Sequence, residues 1–68
     1  MVVDMNGVKI KKGQDVLVHQ EDGVSHGVVV ETMEDSPTVN EPGHWVDIYR
    51  GDGLEGMMSY CLEVVADK

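Results

Sequence analysis

The stretch His44-Trp45-Val46-Asp47-Ile48-Tyr49-Arg50, followed by Gly51-Asp52-Gly53 and Leu54–Tyr60, decides the fold class. Val46 and Ile48 alternate with Trp45, Asp47 and Tyr49. A period of two turns one side of a strand inward and the other outward. Gly51-Asp52-Gly53 has the composition of a tight hairpin turn, so Leu54–Tyr60 is read as the antiparallel return strand. Met57 and Met58 stand at its centre, and in a regular strand one of the two faces outward. Gly56 reads as a bulge or bend.

Working outward, Ser59–Leu62 is short enough for one 3₁₀ turn and delivers a closing strand at Leu62–Val65. Upstream, Val16–His19 is a strand with Val16 and Val18 as its core pair. Gln20–His26 carries the turn Glu21-Asp22-Gly23. Gly27–Met33 follows, and its consecutive valines Val28-Val29-Val30 suggest a strand covered on both sides or strongly curved. Glu34–Gly43 is the longest loop, with Pro37, Pro42, Asn40 and the acids Glu34, Asp35 and Glu41; a loop of this kind can carry function. At the start, Asn6-Gly7 signals a type I′ turn joining Val2–Met5 to Val8–Ile10. No segment holds a helical period for three turns. Five short strands separated by glycine turns predict a small all-β barrel, preceded by an N-terminal β-hairpin over residues 1–11. The interior of such a barrel is filled with side chains, so its activity is expected on the outer surface.

The 68 residues make one domain, and its stability is expected to be modest, because a chain this short hides only about 60% of the surface it exposes when unfolded. The single cysteine, Cys61, excludes an internal disulfide framework. No apolar run approaches the length of a membrane span, and no signal-peptide pattern opens the sequence; a reducing, cytoplasmic setting is the expectation. Thirteen acids face five bases, giving −8. Between Gly13 and Asp67 there are twelve acids and one base, Arg50, a local balance of −11. Such a surface repels phosphate backbones and anionic lipid and favours solubility or a basic protein partner.

The order of these elements from Lys12 to Val65 resembles a five-stranded SH3-like barrel, the minimal kind seen in Tudor, KOW and small bacterial or phage domains. Lys12-Gly13-Gln14-Asp15-Val16 is similar to the lead-in to the first strand of that fold. Asp22-Gly23 with Gly27-Val28-Val29 is similar to the glycine pair of a KOW element. Gly51-Asp52-Gly53 resembles the distal hairpin, and Tyr60–Val65 resembles the 3₁₀ turn and last strand. RNA-binding KOW domains place basic residues around the glycine turn, where this sequence has Gln20-Glu21-Asp22. Tudor cages need several rim aromatics; here there are only Trp45, Tyr49 and Tyr60. What the resemblance implies is therefore an interaction module, without nucleic-acid binding or methylated-residue recognition.

Trp45-x-Asp47-x-Tyr49 is the foremost candidate site. Two large rings flanking a carboxylate supply contact area and a partner for Arg or Lys. Against this stands plain packing, with Trp45 covering a barrel end or lying under the long loop. Glu34, Asp35 and Glu41 of the acidic loop join the candidate partner-binding set. His19, His26, His44 and Cys61 lack the close pairs of a zinc site, and Cys61 reads as a small buried apolar group. No metal and no cofactor is expected. A Cys–His dyad or paired carboxylates would need a cleft that a packed barrel does not offer, so no enzymatic activity is expected. Lys9, Lys11 and Lys12 form a small basic spot, a weak nucleic-acid signal. The expectation is a non-enzymatic module binding a protein partner, a basic one included. The alternative is an acidic inhibitor or nucleic-acid mimic of phage type that occupies a basic groove. Monomer and homodimer both stay open: the Val2–Ile10 hairpin could pair edge to edge with a second copy or cover its own barrel's open end.

Overall fold

The computed structural model describes residues 2–34, 42–51 and 53–65. Five strands form one antiparallel sheet: β1 (Asp15–Gln20), β2 (Gly23–Met33), β3 (Trp45–Tyr49), β4 (Leu54–Met58) and β5 (Leu62–Val64). Their spatial order is β4-β3-β2-β1-β5, and two 3₁₀ turns, Pro42–His44 and Ser59–Cys61, precede β3 and β5. The all-β expectation holds among the described residues. The expected closure of the barrel does not: no pairing joins β4 to β5, and these two strands are the sheet's edges.

The sheet is nevertheless rolled. β4 and β5 lie at opposite edges, yet only Ser59–Cys61 connects them. Four inter-strand spacings in a flat sheet would separate the edges by about 19 Å. Four residue steps, even fully extended, reach about 14 Å, and a 3₁₀ turn spans less. The edges must therefore curl toward each other.

One device for that curl lies in β2. Val29 pairs with Ile48 but Glu31 pairs with Asp47, so Val30 is an extra residue in the ladder. This bulge accounts for the three valines: Val29 is buried, Val28 lies half-buried on the opposite face, and Val30 is exposed. Gly56, expected to mark a bulge or bend, sits instead in unbroken register opposite Asp47. Further boundaries differ from expectation, among them the end of β4 at Met58 instead of Tyr60, where the 3₁₀ turn begins. β2 begins at Gly23 rather than Gly27, because the β1–β2 turn needs only Glu21 and Asp22. His44 belongs to the 3₁₀ turn and not to β3.

The inner face is the core, formed by Val16, Val18, Val29, Val46, Ile48, Met57 and Leu62 together with Val2 and Ile10. Full burial of each such side chain contributes about 1.5–3 kcal/mol before entropy is counted. The N-terminal arm thus packs into the same core as the sheet. It is held as a narrow loop, with Ile10 N–H donating to Val2 O at 2.9 Å and a single bridge between Val3 and Lys9. The expected type I′ turn is not formed. That turn needs positive φ at both central residues, whereas of this pair only Gly7 has it (+81°).

Asp4 organises the arm. It is 4% exposed, and its carboxylate accepts hydrogen bonds from the amides of Asn6 (2.9 Å), Val8 (2.8 Å) and, on β5, Val64 (2.7 Å). Met5 N–H adds a bond to Leu62 O at 3.0 Å. The arm is therefore stapled along β5, covering that edge of the sheet.

Candidate partner-binding face

The register sorts the candidate residues by side. Val46 and Ile48 are fully buried, so Trp45, Asp47 and Tyr49 stand on the outer face of β3 as the alternation predicts. Cross-strand partners line up in three rows. Met33, Trp45 and Met58 form the first; Glu31, Asp47 and Gly56 the second; Val28, Tyr49 and Leu54 the third. Directly opposed residues of adjacent strands lie close enough to touch, so each row is continuous across β2, β3 and β4.

The two rings differ in what they do. Trp45 is half-buried, and its indole lies across Gly56 of β4: a methyl group on Gly56 would stand 2.6 Å from Trp45 Cζ2 and 2.8 Å from Nε1. The indole fills the space that a side chain at position 56 would occupy, which is why this strand carries glycine there. Trp45 thus packs against the outside of the sheet. Tyr49 is 47% exposed, and its hydroxyl donates to Gly51 O at 2.8 Å, fixing the ring beside the β3–β4 turn. Leu54, next to it in the row, is 67% exposed.

Carboxylates punctuate the same outer face. Glu63 on β5, Asp15 on β1, Glu31 on β2 and Asp47 on β3 give one acid to each of four neighbouring strands. Three have a basic neighbour: His19 Nε2 is 2.9 Å from Glu63 Oε1, His26 Nε2 is 3.3 Å from Asp15 Oδ1, and Lys12 Nζ is 3.7 Å from Glu31 Oε2. Arg50, the sole lysine or arginine between Gly13 and Asp67, turns to the inner side. It bonds Glu55 Oε1 at 2.9 Å and the Ser25 hydroxyl at 2.7 Å, bracing β4 to β2. Glu34 is exposed and follows β2 at the Trp45 end of the face. Asp35 and Glu41, also candidates, lie outside the described residues; among the described candidates the structure brings the β3 triplet together on one face.

Among the described residues, no three of His, Cys, Asp and Glu gather as a metal site would require. His44 packs near Tyr60 with ring centroids 6.0 Å apart, and Cys61 is half-buried instead of buried, since it ends the 3₁₀ turn that rounds the edge of the sheet. Asp4 was invisible to sequence reasoning as a key residue. Its main partner, Val64, lies 60 positions away, and the only local signal was an acid two residues before Asn6-Gly7. Neither a family model, nor a curated protein, nor a solved structure matches this chain.

Proposed function

We propose that this chain is a non-enzymatic protein-interaction module of SH3-like architecture that docks a partner on the outer face of β3. The architecture is supported by the order β4-β3-β2-β1-β5, the roll of the sheet and the 3₁₀ turn before β5. The observation that carries the functional reading is the row Val28–Tyr49–Leu54: a hydrogen-bonded, half-exposed tyrosine beside an exposed leucine, one row from Asp47 and Glu31. An aromatic anchor next to carboxylates suits a protein surface bearing an apolar side chain and Arg or Lys. Trp45 lies at one end of this face, packed on Gly56, and Tyr49 is its contact residue.

The test uses Tyr49→Ala, with Trp45 left in place. Folding is checked by circular dichroism, and capture of protein from an extract of the native host is compared with the wild-type chain. A protein retained by the wild type and lost by the folded variant supports the proposal. Equal retention by both overturns it.

The four outer-face carboxylates on successive strands favour one second reading, an acidic decoy for a basic groove. Binding of that kind weakens steeply as salt rises, whereas docking anchored on Tyr49 is far less sensitive. Tyr49→Ala then leaves affinity nearly unchanged, and Asp47→Asn reduces it.

A further inference from the structure

The two edges of the sheet are treated differently. β5 is covered by the N-terminal arm, through Asp4 and Met5. Among the described residues nothing pairs with the outer side of β4. An open strand edge is a template for another strand, and soluble proteins ordinarily blunt it with charge, proline or a bulge. β4 has a regular ladder, no proline, and one charge, Glu55, which is held by Arg50 of its own chain.

The hydrogen-bond phase of β4 follows from its turn. Arg50 N–H donates to Gly53 O at 3.2 Å, marking Arg50/Gly53 as a bonded pair. Bonded and non-bonded pairs alternate along an antiparallel ladder, so Ile48/Glu55 and Val46/Met57 are bonded. Tyr49/Leu54, Asp47/Gly56 and Trp45/Met58 are not. The backbone groups of Leu54, Gly56 and Met58 therefore point away from β3, toward the open edge.

We infer that β4 pairs with β4 of a second copy of this chain, antiparallel, about a two-fold axis through Gly56. In that register Gly56 faces Gly56 of the second copy, and Leu54 faces Met58 of the second copy. The outward-pointing backbone groups then meet as bonded pairs along all five residues, making an isologous interface. Glu55 faces Met57 of the second copy. Centring on Glu55 would oppose two carboxylates, and centring on Met57 would pair only three residues. The absent side chain at Gly56 leaves room for the two Trp45 indoles to sit on either side of the axis, each on its own glycine. Because each copy carries −8, screening favours the dimer and its population rises with salt, the reverse of capture of a basic strand.

Met58 supplies a backbone-specific test. Its φ is −74°, which proline adopts without strain, and its N–H is aimed at the edge, so Met58→Pro removes one edge donor while leaving the intrachain ladder intact. Met58→Ala is the control for the lost side chain. In sedimentation velocity over a concentration series at low and high salt, the wild type and Met58→Ala are expected to show a dimer that grows with both variables. Met58→Pro is expected to stay monomeric. Amide exchange on the wild-type chain gives an independent readout: Leu54, Gly56 and Met58 slow as concentration rises, while Glu55 and Met57, already bonded to β3, do not change. It decides the matter alone should Met58→Pro fail to fold. A wild type that is monomeric throughout, equal dimerisation of both Met58 variants, or a dimer that salt weakens or Tyr49→Ala dissolves overturns the inference.

Discussion

Replacing Asp4 by asparagine changes two atoms' chemistry and almost nothing in shape, and it separates the two tasks of the carboxylate. In the native chain Oδ1 accepts from Asn6 and Val8, closing the turn, while Oδ2 accepts from Val64 on β5. A carboxamide has one acceptor oxygen and one donor group. With the oxygen kept toward the turn, the NH₂ faces the Val64 N–H, donor against donor, and the staple between arm and β5 is lost. A hydrogen bond to a charged group is worth about 1.5–3 kcal/mol, and a part-buried amide left without a partner costs a similar amount. Asn6 and Val8 keep their acceptor, so the loss falls on the Val64 amide. We therefore expect Asp4→Asn to cost about 2–4 kcal/mol. A 68-residue domain has a total stability of order 3–10 kcal/mol, so the variant approaches the unfolding threshold.

The assay is urea unfolding followed by fluorescence of Trp45, the only tryptophan. With a slope of about 1 kcal/mol/M for so small a chain, the midpoint should fall by about 2–4 M. The pH dependence gives a second reading. Burial pushes the Asp4 carboxyl up, but the amides of Val64, Val8, Asn6 and Gly7 together outweigh it and leave it below its ordinary value. A carboxyl depressed by folding contributes stability that is complete above its unfolded value of about 3.9, and that contribution disappears as pH falls through the folded value. The gap between the wild type and Asp4→Asn should thus be constant from pH 7 to about 5 and shrink below about 4. An asparagine variant within about 0.5 kcal/mol of wild type at pH 7 would refute the reasoning, that being the ordinary spread of surface substitutions.

Two further substitutions probe the sheet. Gly56→Ala places a methyl 2.6 Å from the Trp45 ring, so the indole must swing outward; a red-shifted emission and a loss of about 1–3 kcal/mol are expected, and unchanged emission would show that the ring does not rest there. Arg50→Met keeps the stem beside Gly27 but removes the bonds to Glu55 and Ser25, costing about 1–2 kcal/mol in chemical denaturation, less at high salt.

The strands were legible wherever one face meets the core and the other water. Val16/Val18 and Val46/Ile48 show the period of two, and the glycines at 51 and 53 mark a turn because both take positive φ. The 3₁₀ turn was legible from the shortness of the segment between Met58 and Leu62. What could not be read depends on partners distant in sequence. The bulge at Val30 arises from the register against β3, and three similar valines give no hint of which is extra. Gly56 looked like a bend, yet it is glycine because Trp45 of the neighbouring strand occupies its side-chain space. The face of Trp45, Asp47 and Tyr49 followed from alternation alone. That its tryptophan packs and its tyrosine projects depended on the partners at Gly56 and Gly51.

The arm and the open edge are linked by one physical requirement. A five-stranded sheet that does not close has two rows of unpaired backbone groups. Here residues 2–10 are spent on β5, where Val2 and Ile10 also complete the core, so the cover and the hydrophobic filling are one structure. Loss of the Asp4 staple would therefore expose an edge and open the core together. An Asp4→Asn chain should lose stability and also gain a second free edge, on the side of β5 turned away from β1. If β4 already pairs with a second copy, two edges per chain no longer give a closed dimer but an open-ended array. Asp4→Asn is accordingly expected to form species larger than dimers at concentrations where the wild type does not, and light scattering on the still-folded fraction would detect them. A variant that is destabilised yet never larger than the wild type would mean that Asp4 anchors the core without shielding the edge.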